Sequence, residues 1–147
     1  MTHIESTRFG TIEVRPESVL EFPNGLIGLG GSRYVLVAPE ADSVFLWLHS
    51  ADDPSLALPV TRPWNFFPGY EVSLSDDETA RLSFPADADP DVWVTVRAGE
   101  ELESFSANLK APILVCDGVA HQVINEAPDA PVRAALFSAD VAHAVVA

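Results

Sequence analysis

The sequence predicts a mainly β protein, a small antiparallel β-barrel or sandwich with one short helix near residues 76–82. Apolar and polar residues alternate at the period of a strand, most clearly over residues 44–49 and 92–97. Clusters of Gly, Pro, Asn and Asp separate these segments at intervals too short for repeated helical crossovers. Most strand pairings must therefore be antiparallel, as in a small barrel or sandwich.

Nine segments are predicted as strands from their alternation and their flanking turn residues. They are residues 11–14, 19–22, 34–37, 44–49, 56–60, 70–74, 92–97, 112–116 and 119–124. In the seventh segment, three valines alternate with Trp93, Thr95 and Arg97, which predicts one buried face. The sequence Asp117-Gly118 between the last two segments is typical of a two-residue hairpin turn.

The helix is predicted from its first turn, where Ser75 to Glu78 have the form of a capping box. In that motif the serine hydroxyl and the glutamate carboxylate each accept a hydrogen bond from a free backbone N–H. Pro85 ends the helix after one or two turns. The alanine-rich residues 130–147 are compatible with either helix or strand.

We expect one domain spanning residues 1–147, in which roughly the last ten residues form a tail, because no repeat or linker composition is visible. A chain of 147 residues can bury a core without a metal or a disulfide. Cys116 is the only cysteine, which excludes an internal disulfide framework. We find no export signal at the start of the chain and expect a cytoplasmic protein with no membrane-spanning segment.

The charge balance disfavours nucleic acids as partners. The chain has 22 Asp and Glu against 8 Lys and Arg, a formal net charge of −14, and its single lysine is Lys110. Such a surface repels phosphate backbones and attracts basic proteins. We therefore expect no direct contact with nucleic acid or membrane and, if charge selects a partner, a basic one.

No motif for a cofactor or a metal is complete. The glycines at positions 25–31 lack the lysine of a phosphate-binding loop and the third small residue of a dinucleotide fingerprint. Asp87, Asp89 and Asp91 have the alternate spacing of a calcium loop, but its glycine and final glutamate are missing. The histidines do not have metal-ligand spacing. We expect no metal and no cofactor, and interpret the aspartates as a solvated turn.

Two alternative functions remain open. Cys116 and His121 flank the predicted hairpin turn, so a small hydrolase or ligand-binding domain could use them as a nucleophile and a base. A buried, unreactive thiol is the favoured interpretation. Alternatively, Trp47 or Trp64 could stack on a carbohydrate, although large aromatic residues also fill the cores of small β domains.

Several stretches, taken together, resemble the FliW family of flagellar assembly factors over about residues 4 to 137. They are Phe-Gly-Thr-Ile-Glu-Val (residues 9–14), Leu-Glu-Phe-Pro-Asn-Gly-Leu (20–26), Phe-Leu-Trp-Leu-His-Ser (45–50), Ser-Leu-Ala-Leu (55–58), Asn-Leu-Lys-Ala-Pro-Ile (108–113) and His-Gln-Val-Ile (121–124). The chain departs from the family pattern in four places. His49 replaces a usual glutamine, Asn125 replaces an expected leucine, residues 27–31 lack a proline, an aromatic residue and an acid, and a tyrosine near residues 132–136 is missing.

The resemblance implies a non-enzymatic cytoplasmic protein that binds newly made flagellin and, in competition, the RNA-binding regulator CsrA. Free protein of this family removes CsrA from flagellin message and allows translation. Accumulated flagellin then occupies the protein and restores repression. We expect the free protein to be a monomer.

We predict Asn108 and Leu109 as partner-binding residues, because Pro112 cannot donate to a strand ladder and favours an edge or bulge beside them. The alternative is that Asn108 caps a turn and Leu109 lies in the core. His49 and Ser50 are the second predicted pair, with an ordinary strand end as the alternative. A collective acidic field is predicted from Asp52, Asp53, Asp76, Asp77, Glu100 and Glu101.

Overall fold

The computed structural model describes residues 2–15, 18–23, 25–26, 32–40, 42–82, 84, 89–101 and 104–137. The strands in this part of the chain are β1 (Thr2–Ser6), β2 (Gly10–Val14), β3 (Leu20–Glu21), β4 (Arg33–Val37), β5 (Phe45–Ser50), β6 (Ala57–Thr61), β7 (Asp91–Arg97), β8 (Ser106–Ala107), β9 (Ile113–Cys116), β10 (Val119–Gln122) and β11 (Ala134–Ala135). Helix α1 spans Asp76–Leu82, and a 3₁₀ turn spans Pro63–Asn65. The predicted class, mainly β with a short helix at residues 76–82, is confirmed.

Seven strands close into a barrel in the order β3, β4, β5, β6, β7, β9, β10 and back to β3. All of these pairings are antiparallel except the one between β10 and β3, which is parallel. β8 and β11 extend the sheet outward from β7, and β1 and β2 form a separate two-stranded sheet. Of the two predicted architectures, the chain adopts the barrel.

A two-residue turn closes this barrel. Asp117 and Gly118 have φ angles of 51° and 80°, the positive values of the hairpin turn predicted for this dipeptide. The Gly118 carbonyl accepts a hydrogen bond from the Glu21 N–H at 2.9 Å, next to the pairing of Val119 with Glu21. The same turn therefore joins β9 to β10 and β10 to β3.

The barrel interior is filled by apolar side chains contributed by every strand of the barrel. Phe22 packs edge-to-face on Tyr34, with their ring centroids 5.2 Å apart. The buried members of this cluster are Leu20, Phe22, Leu26, Tyr34, Leu48, Val60, Trp93, Ile113 and Ala120.

A second core lies on the outer side of β7. Val92, Val94 and Val96 pack there with residues of α1 and of the C-terminal segment, while Trp93 belongs to the barrel interior. The prediction of a single buried face for β7 is therefore wrong. Alternation alone could not reveal this, because the second layer comes from segments distant in sequence.

The predicted strand at residues 70–74 is also absent, since the described structure has no strand there. Its backbone bonds to a loop rather than to a neighbouring strand: the Ser73 N–H donates to Asn125 Oδ1, and Ser73 O accepts from the Glu126 N–H. Strands β1 and β8 were not predicted. β11 lies in residues 130–147, for which helix and strand were both left open, and β8 and β11 have only two residues each. The glycines at 28–31, Asp87 and the tail after residue 137 lie outside the described residues.

Helix α1 begins as predicted but completes only half of the capping box. The Glu78 N–H donates to Ser75 Oγ at 3.1 Å. The Glu78 carboxylate instead accepts hydrogen bonds from Arg81 and from the Ile124 N–H, so it ties the helix to the chain after β10. Among the described residues, neither the length nor the composition of any helix suits a membrane span.

Asn125 is the centre of the polar contacts in the second core, and it is fully buried. Its Oδ1 accepts hydrogen bonds from the Ser73 and Ala127 N–H groups, at 2.8 and 3.0 Å. Its Nδ2 donates to Tyr70 Oη at 3.0 Å and to the Glu71 carbonyl at 2.9 Å. Every polar atom of this amide is therefore used, which fixes the loop before α1 to the segment after β10.

We predict that Asn125→Leu destabilises the protein by about 3 kcal/mol, although the side chains are similar in size, because two partly buried N–H groups and the buried Tyr70 hydroxyl lose their partner. Urea denaturation measures the change. Ile124→Ala is the control: its side chain is 42% exposed, and we expect less than about 1 kcal/mol. Equal stability of Asn125→Leu and the unsubstituted protein would contradict the assigned role.

Candidate functional site

The edge of β7 changes partner halfway along the strand. Residues Asp91 to Trp93 pair with β9, whereas Val96 and Arg97 pair with β8. Between them, the Thr95 carbonyl accepts a hydrogen bond from the Asn108 N–H at 2.9 Å. The chain between β8 and β9 therefore leaves the sheet here and forms a fork, just before Pro112, which has no N–H to donate.

Asn108 holds the turn at this fork. Its Oδ1 accepts hydrogen bonds from the N–H groups of Lys110 and Ala111, both at 3.1 Å. Leu109 is buried in the second core, its N–H donates to the Pro131 carbonyl, and its own carbonyl accepts from Tyr70 Oη. The geometry matches the alternative interpretation of a turn cap and a core leucine, so the Leu109 side chain is not accessible to a partner.

Asn108 also lines a surface pocket of about 370 Å³, which we call the fork pocket. Leu26, Leu58 and Ala111 supply apolar lining. Arg97, Val132 and Arg133 also line it and are exposed. The fork thus brings together side chains from β6, β7 and the segments before β9 and β11.

His49 and Ser50, the second predicted pair, are both fully buried. His49 Nδ1 lies 2.7 Å from the Ser50 carbonyl and donates a hydrogen bond to it, and Nε2 is hydrogen-bonded to the Ser6 hydroxyl at 2.8 Å. Ser6 Oγ in turn accepts hydrogen bonds from the Arg8 and Phe9 N–H groups. This network, which we call the hairpin joint, fastens the sheet of β1 and β2 to the barrel.

Ser50 organises the acidic turn that follows β5. Its Oγ accepts hydrogen bonds from the N–H groups of Asp52 and Asp53, at 3.1 and 2.9 Å. Backbone and side-chain hydrogen bonds from Ser55 lower the pKa of Asp53, which keeps this exposed carboxylate charged. The buried residues His49 and Ser50 therefore hold the backbone of the acidic turn in position.

The two tryptophans proposed for stacking differ in their surroundings. Trp47 is covered by Arg8, whose guanidinium lies 4.3 Å from the ring centroid, and by the edge of Phe9. Trp64 is 44% exposed, and its Nε1 donates to the Tyr70 carbonyl. The covered face of Trp47 gives no support to carbohydrate stacking at that ring.

Cys116 and His121 share the outer face of the closing hairpin, where Cys116 is paired with Val119 and His121 with Leu114. Partial burial and neighbouring Asp117 raise the pKa of the Cys116 thiol, which disfavours the reactive thiolate. Burial and Arg81 lower the pKa of His121. The electrostatics thus provide no activated nucleophile for the hydrolase alternative.

Among the described residues, no group of three or more His, Cys, Asp or Glu is placed to hold a metal ion.

Sequence reasoning did not identify Ser6, Arg97, Val132 or Arg133. Ser6 had one usable signal, because a serine whose hydroxyl accepts from the N–H groups two and three residues later is a common turn motif. The other three come from β7 and from the chain before β11, and no local pattern links these segments.

Comparisons with known proteins give one consistent result. The model of the FliW protein family matches residues 3–136. The flagellar assembly factor FliW of Desulfitobacterium hafniense (strain Y51) is 34% identical over 92% of this chain and 91% of its own length. That of Clostridium kluyveri is 29% identical over 90% of this chain and 93% of its own. A crystal structure of the flagellar assembly factor FliW superposes with a TM-score of 0.83 at 27% identity, covering 93% of this chain and 98% of that one.

The hairpin joint predicts that Ser6→Ala destabilises the protein by about 2 kcal/mol, because two N–H groups and the ring of His49 lose a partner. Hydrogen exchange should accelerate in β1 and β2 more than in the barrel. Thr11→Ala, which removes an exposed hydroxyl bonded to Glu5, is the control and should change the free energy of unfolding by less than about 0.5 kcal/mol. Unchanged exchange in Ser6→Ala would rule out the joint.

The His121 environment predicts a loss of stability in mild acid. Because its folded-state pKa is lowered, the unfolded chain binds more protons below the ordinary value of 6.5. The free energy of unfolding should therefore fall as the pH decreases from 7 through 6.5 toward the folded-state pKa. Urea midpoints at pH 7, 6 and 5 measure this, and His121→Gln should show a shallower pH dependence. Parallel profiles for the two proteins would contradict the prediction.

Proposed function

Since this chain belongs to the FliW family of flagellar assembly factors, we propose that it binds newly made flagellin and, in competition with flagellin, the RNA-binding regulator CsrA. The free protein withdraws CsrA from flagellin message in the cytoplasm, and translation proceeds. As flagellin accumulates it occupies the protein, and CsrA returns to the message. The match to the family over residues 3–136 is the observation that carries this proposal.

The charge of the chain supports the CsrA half of the proposal. A protein with a net charge of −14 attracts a basic RNA-binding protein and repels the RNA itself. The residues proposed as a collective acidic field are all exposed, namely Asp52, Asp53, Asp76, Asp77, Glu100 and Glu101. The lowered pKa of Asp53 keeps one of them charged well below neutral pH.

We propose that the protein acts as a single-domain monomer without catalysis. The raised pKa of the Cys116 thiol supports a binding role over a nucleophilic one. Of the residues predicted to bind partners, Asn108 would touch a partner directly because it lines the fork pocket. Leu109, His49 and Ser50 would act indirectly, by holding the fork and the acidic turn in place.

The proposal predicts three results with purified components. The protein forms a stable complex with its own flagellin and another with CsrA in size-exclusion chromatography at micromolar concentration. Added to CsrA bound to flagellin leader RNA, it releases the RNA in a gel-shift assay. Added flagellin then returns CsrA to the RNA.

Salt provides the internal control, because exposed charges are screened at high ionic strength. The association rate with CsrA should fall several-fold between 50 and 500 mM salt while the dissociation rate changes less. An association rate that does not depend on salt would show that charge does not steer the association with CsrA. Failure to form a complex with either protein would disprove the proposed function.

A further inference from the structure

The fork pocket combines an apolar part of its lining with a mouth that opens to solvent. Leu26, Leu58 and Ala111 lie along it, and its volume of about 370 Å³ falls at the lower end of the range for specific binding sites. Val132 lies at the mouth with 60% of its surface exposed, the largest exposed fraction among the exposed large hydrophobic residues that the structure describes. Apolar lining in the same pocket as an exposed valine suits the side chain of a partner polypeptide.

The pocket also concentrates positive charge in a strongly acidic chain. Over the described ranges of the chain, Arg33, Arg62 and Arg81 each pair with a carboxylate, and Arg8 lies over Trp47. Arg97 and Arg133 both line the fork pocket, and the ion pairs of the described residues leave both guanidinium groups without a carboxylate. Two unpaired guanidinium groups at one pocket favour an acidic ligand.

Asn108 adds a third donor. Because its Oδ1 faces the Lys110 and Ala111 N–H groups, its amide orientation is fixed by two hydrogen bonds. The opposite end of the amide is the NH₂ group, which can only donate. The polar groups contributed by Arg97, Arg133 and this amide are therefore all donors, and they match carboxylate or carbonyl oxygens.

We propose that the fork pocket receives a segment of flagellin in which an apolar side chain lies next to one or more carboxylates. This inference rests on the proposed function, which supplies two partners. The arginines repel a basic protein and attract an acidic segment, so charge assigns the pocket to flagellin and leaves the acidic field for CsrA. The apolar anchor contacts the apolar lining and Val132, and its neighbouring carboxylates meet Arg97 and Arg133.

The test measures dissociation constants for purified flagellin monomer and for CsrA by isothermal titration calorimetry. Arg97→Glu and Arg133→Glu reverse the charge of the pocket, and Val132→Asp places a charge at its apolar mouth. The matched controls are Arg15→Glu, an exposed arginine after β2, and Val44→Asp, an exposed valine before β5. Because all five positions are exposed, we expect the folded state to be retained, and circular dichroism checks this.

Each pocket variant should weaken flagellin binding at least tenfold, and the two controls should change it less than threefold. CsrA binding should stay within threefold for all five variants. If unsubstituted protein binds flagellin and the pocket variants bind it as well as the controls do, the pocket assignment is wrong and the proposed function stands.

Other outcomes also overturn the assignment. Pocket variants that lose CsrA but keep flagellin would show that the occupant is the regulator. A changed oligomeric state in the pocket variants, measured by light scattering, would show that a second copy of this chain occupies the pocket. Failure of the unsubstituted protein to bind flagellin would remove the flagellin half of the proposed function together with the pocket assignment.

Discussion

Burial of β7 on both faces is the constraint on which the other features of this protein depend. Its Trp93 side fills the barrel, and its three valines support the second core. The strand pairs with β6 along one edge and with β9 and then β8 along the other. Because one strand serves two cores and three neighbours, the chain must separate β8 from β9, and the fork pocket is the result.

Local patterns predicted the parts of the fold that local chemistry determines. The Asp117-Gly118 turn was predictable because its φ values suit few other residues, and the start of α1 because Ser75 caps it. The second buried face of β7 was not predictable, since the covering segments are remote in sequence. The segment at residues 70–74 has strand-like composition, but the Asn125 amide and the Glu126 N–H bond to its backbone in place of a neighbouring strand.

The candidate site also has one part that the sequence could predict and one part that it could not. Pro112 allowed an edge to be expected beside Asn108, and the fork is found there. The fork pocket could not be predicted, because Arg97, Val132 and Arg133 meet only after β8 and the segment before β11 have folded onto β7. Composition indicated an acidic protein, and it could not show that Arg97 and Arg133 line the same pocket. His49 and Ser50 lay within family-like motifs, yet their chemistry is that of a structural joint.

The seam between β3 and β10 has a consequence for synthesis on the ribosome. It joins Glu21 to Val119, so the barrel cannot close until almost all of the described chain has been translated. At typical elongation rates, on the order of ten seconds pass between the synthesis of β3 and that of its parallel neighbour β10. During this time one edge of β3 stays unpaired. Glu21, exposed in the finished barrel, keeps a negative charge on that waiting edge and disfavours its pairing with another nascent chain.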